Sequence, residues 1–172
     1  LRREPTLEVH AIDRSREMQE VGRQRAEALG LRIRSTIEDV HTLPFPDNHF
    51  DVVTLQFASR HLRVKRVWGE ILRVLKPGGR FYHCDMLRPA NRNVETLYYG
   101  YLRFCLWFTG FVFRSGQAAL NCKQYFIDAL QMFYSAEELS HVLEELGYCN
   151  VTSKAVFSGM MGFHRAVKPQ QA

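Results

Sequence analysis

The stretch Leu43-Pro-Phe-Pro-Asp-Asn-His-Phe-Asp-Val-Val-Thr-Leu-Gln-Phe57 reads in two halves. Pro44, Pro46, Asp47 and Asn48 are turn-forming residues and predict a polar loop. Phe50 to Phe57 is a short run of β-branched and aromatic residues, which reads as a buried strand. Beyond it, Val64, Val67, Trp68, Ile71, Val74 and Leu75 recur at helical spacing and predict an amphipathic helix. Lys76-Pro-Gly-Gly79 is expected to end that helix sharply, and Arg80–Met86 is the next strand.

The same alternation extends both ways. Upstream, Leu7–Asp13 alternates toward a strand. Ser15 can cap a helix running to about Gly30, with Met18, Val21, Gly22, Ala26 and Leu29 on one side, and Leu31–Ile37 reads as another strand. Downstream, Pro89 to about Phe133 is helical and unusually aromatic. Ser135-Ala-Glu-Glu138 is a capping box opening a helix with Leu139, Val142, Leu143 and Leu146 inside and Gly147 as its stop. Asn150–Phe157 and Met160–Val167 form a closing hairpin around Ser158-Gly159. Strands alternating with helices predict an α/β, doubly wound, mostly parallel sheet with an antiparallel hairpin at its end. The length suits a single domain, residues 1–172, in which 88–133 form a helical cap over the substrate.

Composition narrows the function. The net charge of +5 fits nucleic acid, an anionic membrane surface or merely a basic exterior. No Lys/Arg run interleaved with aromatics is present, so nucleic acid is not expected as a partner. Cys84, Cys105, Cys122 and Cys149 lie far apart without a CxxC pair, so no metal site is expected and reduced thiols in a cytosolic protein are. Residues 98–113 are too short and interrupted for a membrane span. No phosphate-binding glycine motif occurs anywhere in the chain.

Four places can carry chemistry. Asp13 closes a strand, where an acid can hold both ribose hydroxyls or merely cap the next turn. Asp39, beside Val40, can accept a hydrogen bond from an exocyclic amine or stay solvated. Arg60 and His61 follow a strand, where loops host catalytic groups. Arg60 can polarise a ring oxygen and His61 can serve as a base, unless the pair simply faces solvent. Tyr98–Phe113 holds three Tyr, four Phe and Trp107, suiting an apolar lid, a lipid-facing patch or an ordinary aromatic core.

In order and spacing these pieces resemble the quinone-biosynthesis C-methyltransferases, a class I family dependent on S-adenosylmethionine. The resemblance rests on Ala11-Ile-Asp13 with Met18 and Val21-Gly22, then on Leu43 to Asp51. It continues through Val53-Thr54, Phe57 and Arg60 to Arg73-Val-Leu-Lys-Pro-Gly-Gly-Arg80. Tyr125 with Ile127, Phe133, the Glu137-Glu-Leu139 helix, Ser158-Gly159 and His164 complete it. It implies a class I methyltransferase fold and methyl transfer to a ring carbon of a polyprenyl quinol such as demethylmenaquinol, in menaquinone or ubiquinone biosynthesis. Asp13 then holds the cofactor ribose, Met18 packs the adenine, and Asp39 with Val40 lies near adenine N6. Arg60 and His61 are catalytic, His61 standing where the family usually has Asn. Asp85 stands where many members have Glu, and it is expected at the substrate with Tyr125 and His164.

The family's first helix, first strand and glycine-rich loop are expected ahead of Leu7. A chain without them leaves a gap between the Leu7–Asp13 and Phe50–Phe57 strands, which predicts a homodimer through exposed edges or else a rearranged sheet. The aromatic 98–113 segment and the +5 charge predict peripheral contact of this cytoplasmic protein with membrane lipid. Rival readings are a related enzyme acting on a sterol, tocopherol precursor or polyketide, and an interaction module without cofactor.

Overall fold

The computed structural model describes residues 6–112, 125 and 127–170, which fall into two compact units, Leu1–Pro46 and Asp47–Ala172. In the first unit β1 (His10–Asp13) and β2 (Arg34–Ile37) pair in parallel around α1 (Arg16–Ala28). Both strands are shorter than their apolar runs, because pairing spans only four residues. Ser15 caps α1 as expected, its Oγ accepting the Met18 N–H at 3.1 Å.

The buried side of α1 differs from the expected stripe. Ala26 is buried as expected, but Met18, Val21 and Leu29 are exposed and Gln19 is buried instead. The reason is polar. Gln19 Nε2 donates to the carbonyls of Ala11 and Thr36 at 3.2 and 3.1 Å, fastening the helix to both strands through one amide.

The second unit holds β3 (Phe50–Gln56), α2 (Val64–Val74), β4 (Leu75–Met86), α3 (Arg92–Val112), α4 (Ala136–Glu145), β5 (Cys149–Val156) and β6 (Met161–Val167). Residues 127–131 are also helical. The sheet order is β3-β4-β6-β5, with β3 parallel to β4 and the remaining pairs antiparallel. With the β1–β2 pair, parallel and antiparallel ladders are equal in number among the described residues, where a mostly parallel sheet was expected.

The α2 stripe is buried as the spacing predicts. Trp68 is fully enclosed and meets Phe81 edge-on at 5.5 Å. An aromatic removing ~200 Å² from water contributes about 5 kcal/mol at ~25 cal/mol/Å². The capping box is complete: Ser135 Oγ accepts the Glu138 N–H, and the Ser135 N–H donates to Glu138 Oε2.

The two motifs that opened the sequence reading meet in space. The N–H groups of Asn48 and His49 donate to the carbonyls of Arg73 and Val74, closing the end of α2. Asn48 takes a left-handed φ of 57° there, which Asn tolerates better than most residues. Lys76–Gly79 does more than end the helix: β4 begins at Leu75 and runs through it as a bulge, pairing Phe50 with Leu75 and then Val52 with Arg80. Gly79 is required, since a Cβ there would stand 2.7 Å from the Lys76 carbonyl oxygen.

Candidate functional site

Asp13, Met18, Asp39 and Val40 all lie in the first unit, in or just after the segments that leave β1 and β2. Asp13 Oδ1 accepts the Ser15 N–H at 2.8 Å, so it does make the local turn. It also stands at the carboxyl end of a parallel strand, where ligands of α/β sheets sit. Met18 is 62% exposed, one turn into α1, which leaves an apolar, adaptable surface for a ligand face. Asp39 Oδ1 accepts the His41 N–H at 2.9 Å and lies 2.6 Å from His41 Nδ1. Those contacts, the backbone one first, hold its carboxyl below the usual range. Val40 beside it is half-buried.

The second unit builds its site where β3 ends. Phe57 takes φ 54°, and its N–H donates to the Cys84 carbonyl at 2.9 Å. The chain then turns through Ser59–His61. Parallel register sets Gln56 opposite Cys84, so this turn arrives beside Asp85. The Ser59 N–H donates to Asp85 Oδ2 at 2.8 Å, while Asp85 Oδ1 accepts Arg60 Nη1 at 2.5 Å and the Met86 N–H at 2.8 Å. Asp85 is fully buried and the Arg60 side chain 11% exposed. Buried carboxylate and guanidinium are thereby fixed against each other, a geometry that survives burial only when the remaining lone pairs are also filled.

Arg60 lines a cavity of about 460 Å³ with Leu62, Arg63, Tyr125, Asp128 and Phe133. His61 is exposed, its Nδ1 3.4 Å from Tyr125 Oη, and the two rings stack with planes 13° apart. Arg60, His61 and Tyr125 are therefore brought together. A larger cavity of about 570 Å³ opens on the uncovered face of the sheet, beside Phe57, Tyr82, Lys154, Phe163 and Arg165. The Arg60 cavity joins a fixed cation, an acid and a phenol to apolar walls, the mix that orients a small ligand.

Asp85 and His164 are the residues expected at the substrate, and His164 also borders the larger cavity. Both are buried, Asp85 against Arg60 and Ser59, and His164 against His83 and the Ala136 carbonyl. Ser59 and His83, also buried, were missed. Their residue types gave no signal, and only strand adjacency unites them.

The aromatic helix serves two environments. Tyr99 packs with Ile127 and Leu130, backed by Met86, Tyr98, Leu102 and Leu106. Leu97, Tyr101, Phe104, Trp107 and Phe108 are exposed. Phe113, Arg114 and Cys122 lie outside the described residues. Cys84, Cys105 and Cys149 are free thiols. Among the described residues no group of metal ligands occurs, and no helix is long and apolar enough to cross a membrane.

A family model described as the ubiE/COQ5 methyltransferase family matches residues 2–168. The chain is 32% identical over 171 residues to a ubiquinone/menaquinone biosynthesis C-methyltransferase UbiE of Pseudomonas savastanoi, covering 96% of this chain and 64% of that protein. It is 30% identical over 167 residues to a demethylmenaquinone methyltransferase of Anoxybacillus flavithermus, covering 96% and 69%. The chain thus spans less than two thirds of the Pseudomonas relative's length. In fold it is similar to a SAM-dependent methyltransferase of Aquifex aeolicus, with a TM-score of 0.61 at 20% identity, covering 94% of this chain and 69% of that one.

Proposed function

The chain belongs to the ubiE/COQ5 methyltransferase family, and from that premise we propose that it transfers a methyl group from S-adenosylmethionine to a ring carbon of a polyprenyl quinol such as demethylmenaquinol. The observation that carries this reading is Arg60, fixed by the buried Asp85 at the wall of a cavity of about 460 Å³. A quinol ring needs little covalent help from the protein. It needs its oxygen held, its proton withdrawn and its carbon placed.

Asp13, Met18, Asp39 and Val40 suit the methyl donor: an exposed carboxylate for a ribose diol, an apolar side chain for a base, and an acid for an amine. When bound, S-adenosylmethionine supplies an electrophilic methyl on a sulfonium. Arg60 donates to the ring oxygen and stabilises the negative charge that grows there. His61, against Tyr125, accepts the phenol proton, so that the oxygen's electron pair raises the nucleophilicity of the ring carbon. The cavity walls hold the ring, and on methylation its carbon releases its proton to solvent while His61 returns the phenol proton to the oxygen, restoring the aromatic ring. Asp85 keeps the guanidinium oriented and does not touch the ring.

The exposed face of α3, Leu97, Tyr101, Phe104, Trp107 and Phe108, suits a prenyl tail and the membrane lipid that carries it, with residues 88–133 as the substrate cap. β3 is an edge strand of its sheet, and pairing of two copies there is the basis on which we favour a homodimer. Methyl transfer assayed with prenylated and unprenylated rings tests the substrate. Preference for the prenylated quinol, with turnover lost in Arg60→Ala, supports the reading. Equal turnover of both rings, or an Arg60→Ala variant of unchanged kcat, overturns it.

A further inference from the structure

Behind Arg60 runs a line of buried polar side chains that the proposed chemistry leaves unused. His164 Nε2 lies 2.9 Å from the Ala136 carbonyl oxygen. A carbonyl only accepts, so this nitrogen carries the proton, and in a neutral imidazole Nδ1 is then an acceptor. His83 Nδ1, 3.2 Å from His164 Nδ1, must therefore donate to it. His83 Nε2 is left as an acceptor, and the Ser59 hydroxyl, 2.9 Å away, donates to it. One carbonyl at the start of α4 thus sets the tautomers of two rings and the rotor of one hydroxyl.

The surroundings keep both rings neutral. His83 faces the edge of Trp68 at 5.1 Å, His164 and Ser59, with Phe81 beside it. Asp85 follows two residues along β4, with its carboxylate on Arg60 and the Ser59 N–H. Burial, then the neighbouring His164, pushes His83 down to about 3, and burial lowers His164 as well. The line ends on a carbonyl, which cannot take a proton, so it orients groups and does not conduct.

We propose that His83, His164 and Ser59 form a one-way positioning chain that fixes the Ser59–His61 turn and, through Asp85, aims the Arg60 guanidinium into its cavity. Ser59 is the hinge of this arrangement, because its hydroxyl belongs to the chain and its backbone N–H belongs to Asp85. These are positioning residues that act through Arg60, so their effect on rate rests on the methyl-transfer reading above, whereas their effect on geometry does not.

Nitrogen-15 NMR of the histidine rings tests the chain in the unaltered protein. Protonated Nδ1 on His83 with protonated Nε2 on His164 is the expected pattern. Protonated Nε2 on His83, or protonated Nδ1 on His164, overturns it. A second measurement follows the Arg60 Nε–H resonance in Ser59→Ala and His83→Gln, with the exposed His141→Gln as control. The resonance should move in the first two and stay in the control, and kcat should fall about tenfold with KM nearly constant. An Arg60 resonance unmoved in both variants refutes the positioning role. Shifted resonances with unchanged kcat would leave the chain standing and remove Arg60 from the chemistry.

Discussion

Asp85→Asn isolates the interaction on which the site depends. The wild-type carboxylate accepts three hydrogen bonds with two oxygens: from the Ser59 N–H, the Met86 N–H and Arg60 Nη1. An asparagine of the same shape has one oxygen, and whichever way its amide turns, an NH₂ group faces a donor. Breaking a buried pair by neutralising one partner costs about 3–5 kcal/mol, because the other charge is left uncompensated. For a chain of this size each kcal/mol lowers Tm by roughly 2–4 °C, so a fall of about 10 °C is expected. Scanning calorimetry with urea unfolding measures it. A cycle with Arg60→Met should show a coupling of at least ~1 kcal/mol, since the two residues touch. A loss below about 1 kcal/mol, or additive single changes, would refute the reasoning. Asp85→Glu keeps the charge and should recover part of the loss, at the cost of fitting one extra methylene.

Three further outcomes follow from the structure. Gly79→Ala should cost about 2 kcal/mol, because its Cβ would press on the Lys76 and Asp51 carbonyls at 2.7 and 3.3 Å; an unchanged urea midpoint would show that the bulge yields freely. Ser135→Ala removes one half of the capping box and should cost about 1 kcal/mol by the same assay, with activity intact. His83 is lowered from 6.5 to about 3 in the folded state, so the unfolded chain binds its proton first on acidification. Stability should be full above about pH 6.5 and fall by about 2 kcal/mol by pH 5 from this residue alone, with the slope flattened in His83→Gln. A pH-independent midpoint over that range would contradict it.

What was legible in the sequence was what neighbours along the chain decide. The α2 stripe from Val64 to Val74, the Ser15 cap and the Ser135–Glu138 box each depend on residues within a few positions, and each stands as read. Strand lengths were not legible, because pairing ends where a partner ends: Leu7–Val9 and Leu31–Ile33 lie outside the ladders despite their apolar character. The packed face of α1 was misjudged because Gln19 fastens it by hydrogen bonds, which a hydrophobic count ignores. Arg60 could be singled out from its place after a strand, yet its partner could not. Asp85 stands 25 residues away, and His83 and His164 are 81 apart, joined only by the parallel β3–β4 and antiparallel β4–β6 ladders. Burial then sets Asp85 against Arg60 and Ser59, and His164 against His83 and the Ala136 carbonyl.

Isotopic labelling tests methyl transfer to a quinol ring held by Arg60: the protein is given S-adenosylmethionine labelled in its methyl group, with reduced demethylmenaquinone as acceptor. Label is expected on a ring carbon of the prenylated product, reduced at least about a hundredfold in Arg60→Ala. Label on oxygen, or equal labelling by wild type and Arg60→Ala, would contradict it.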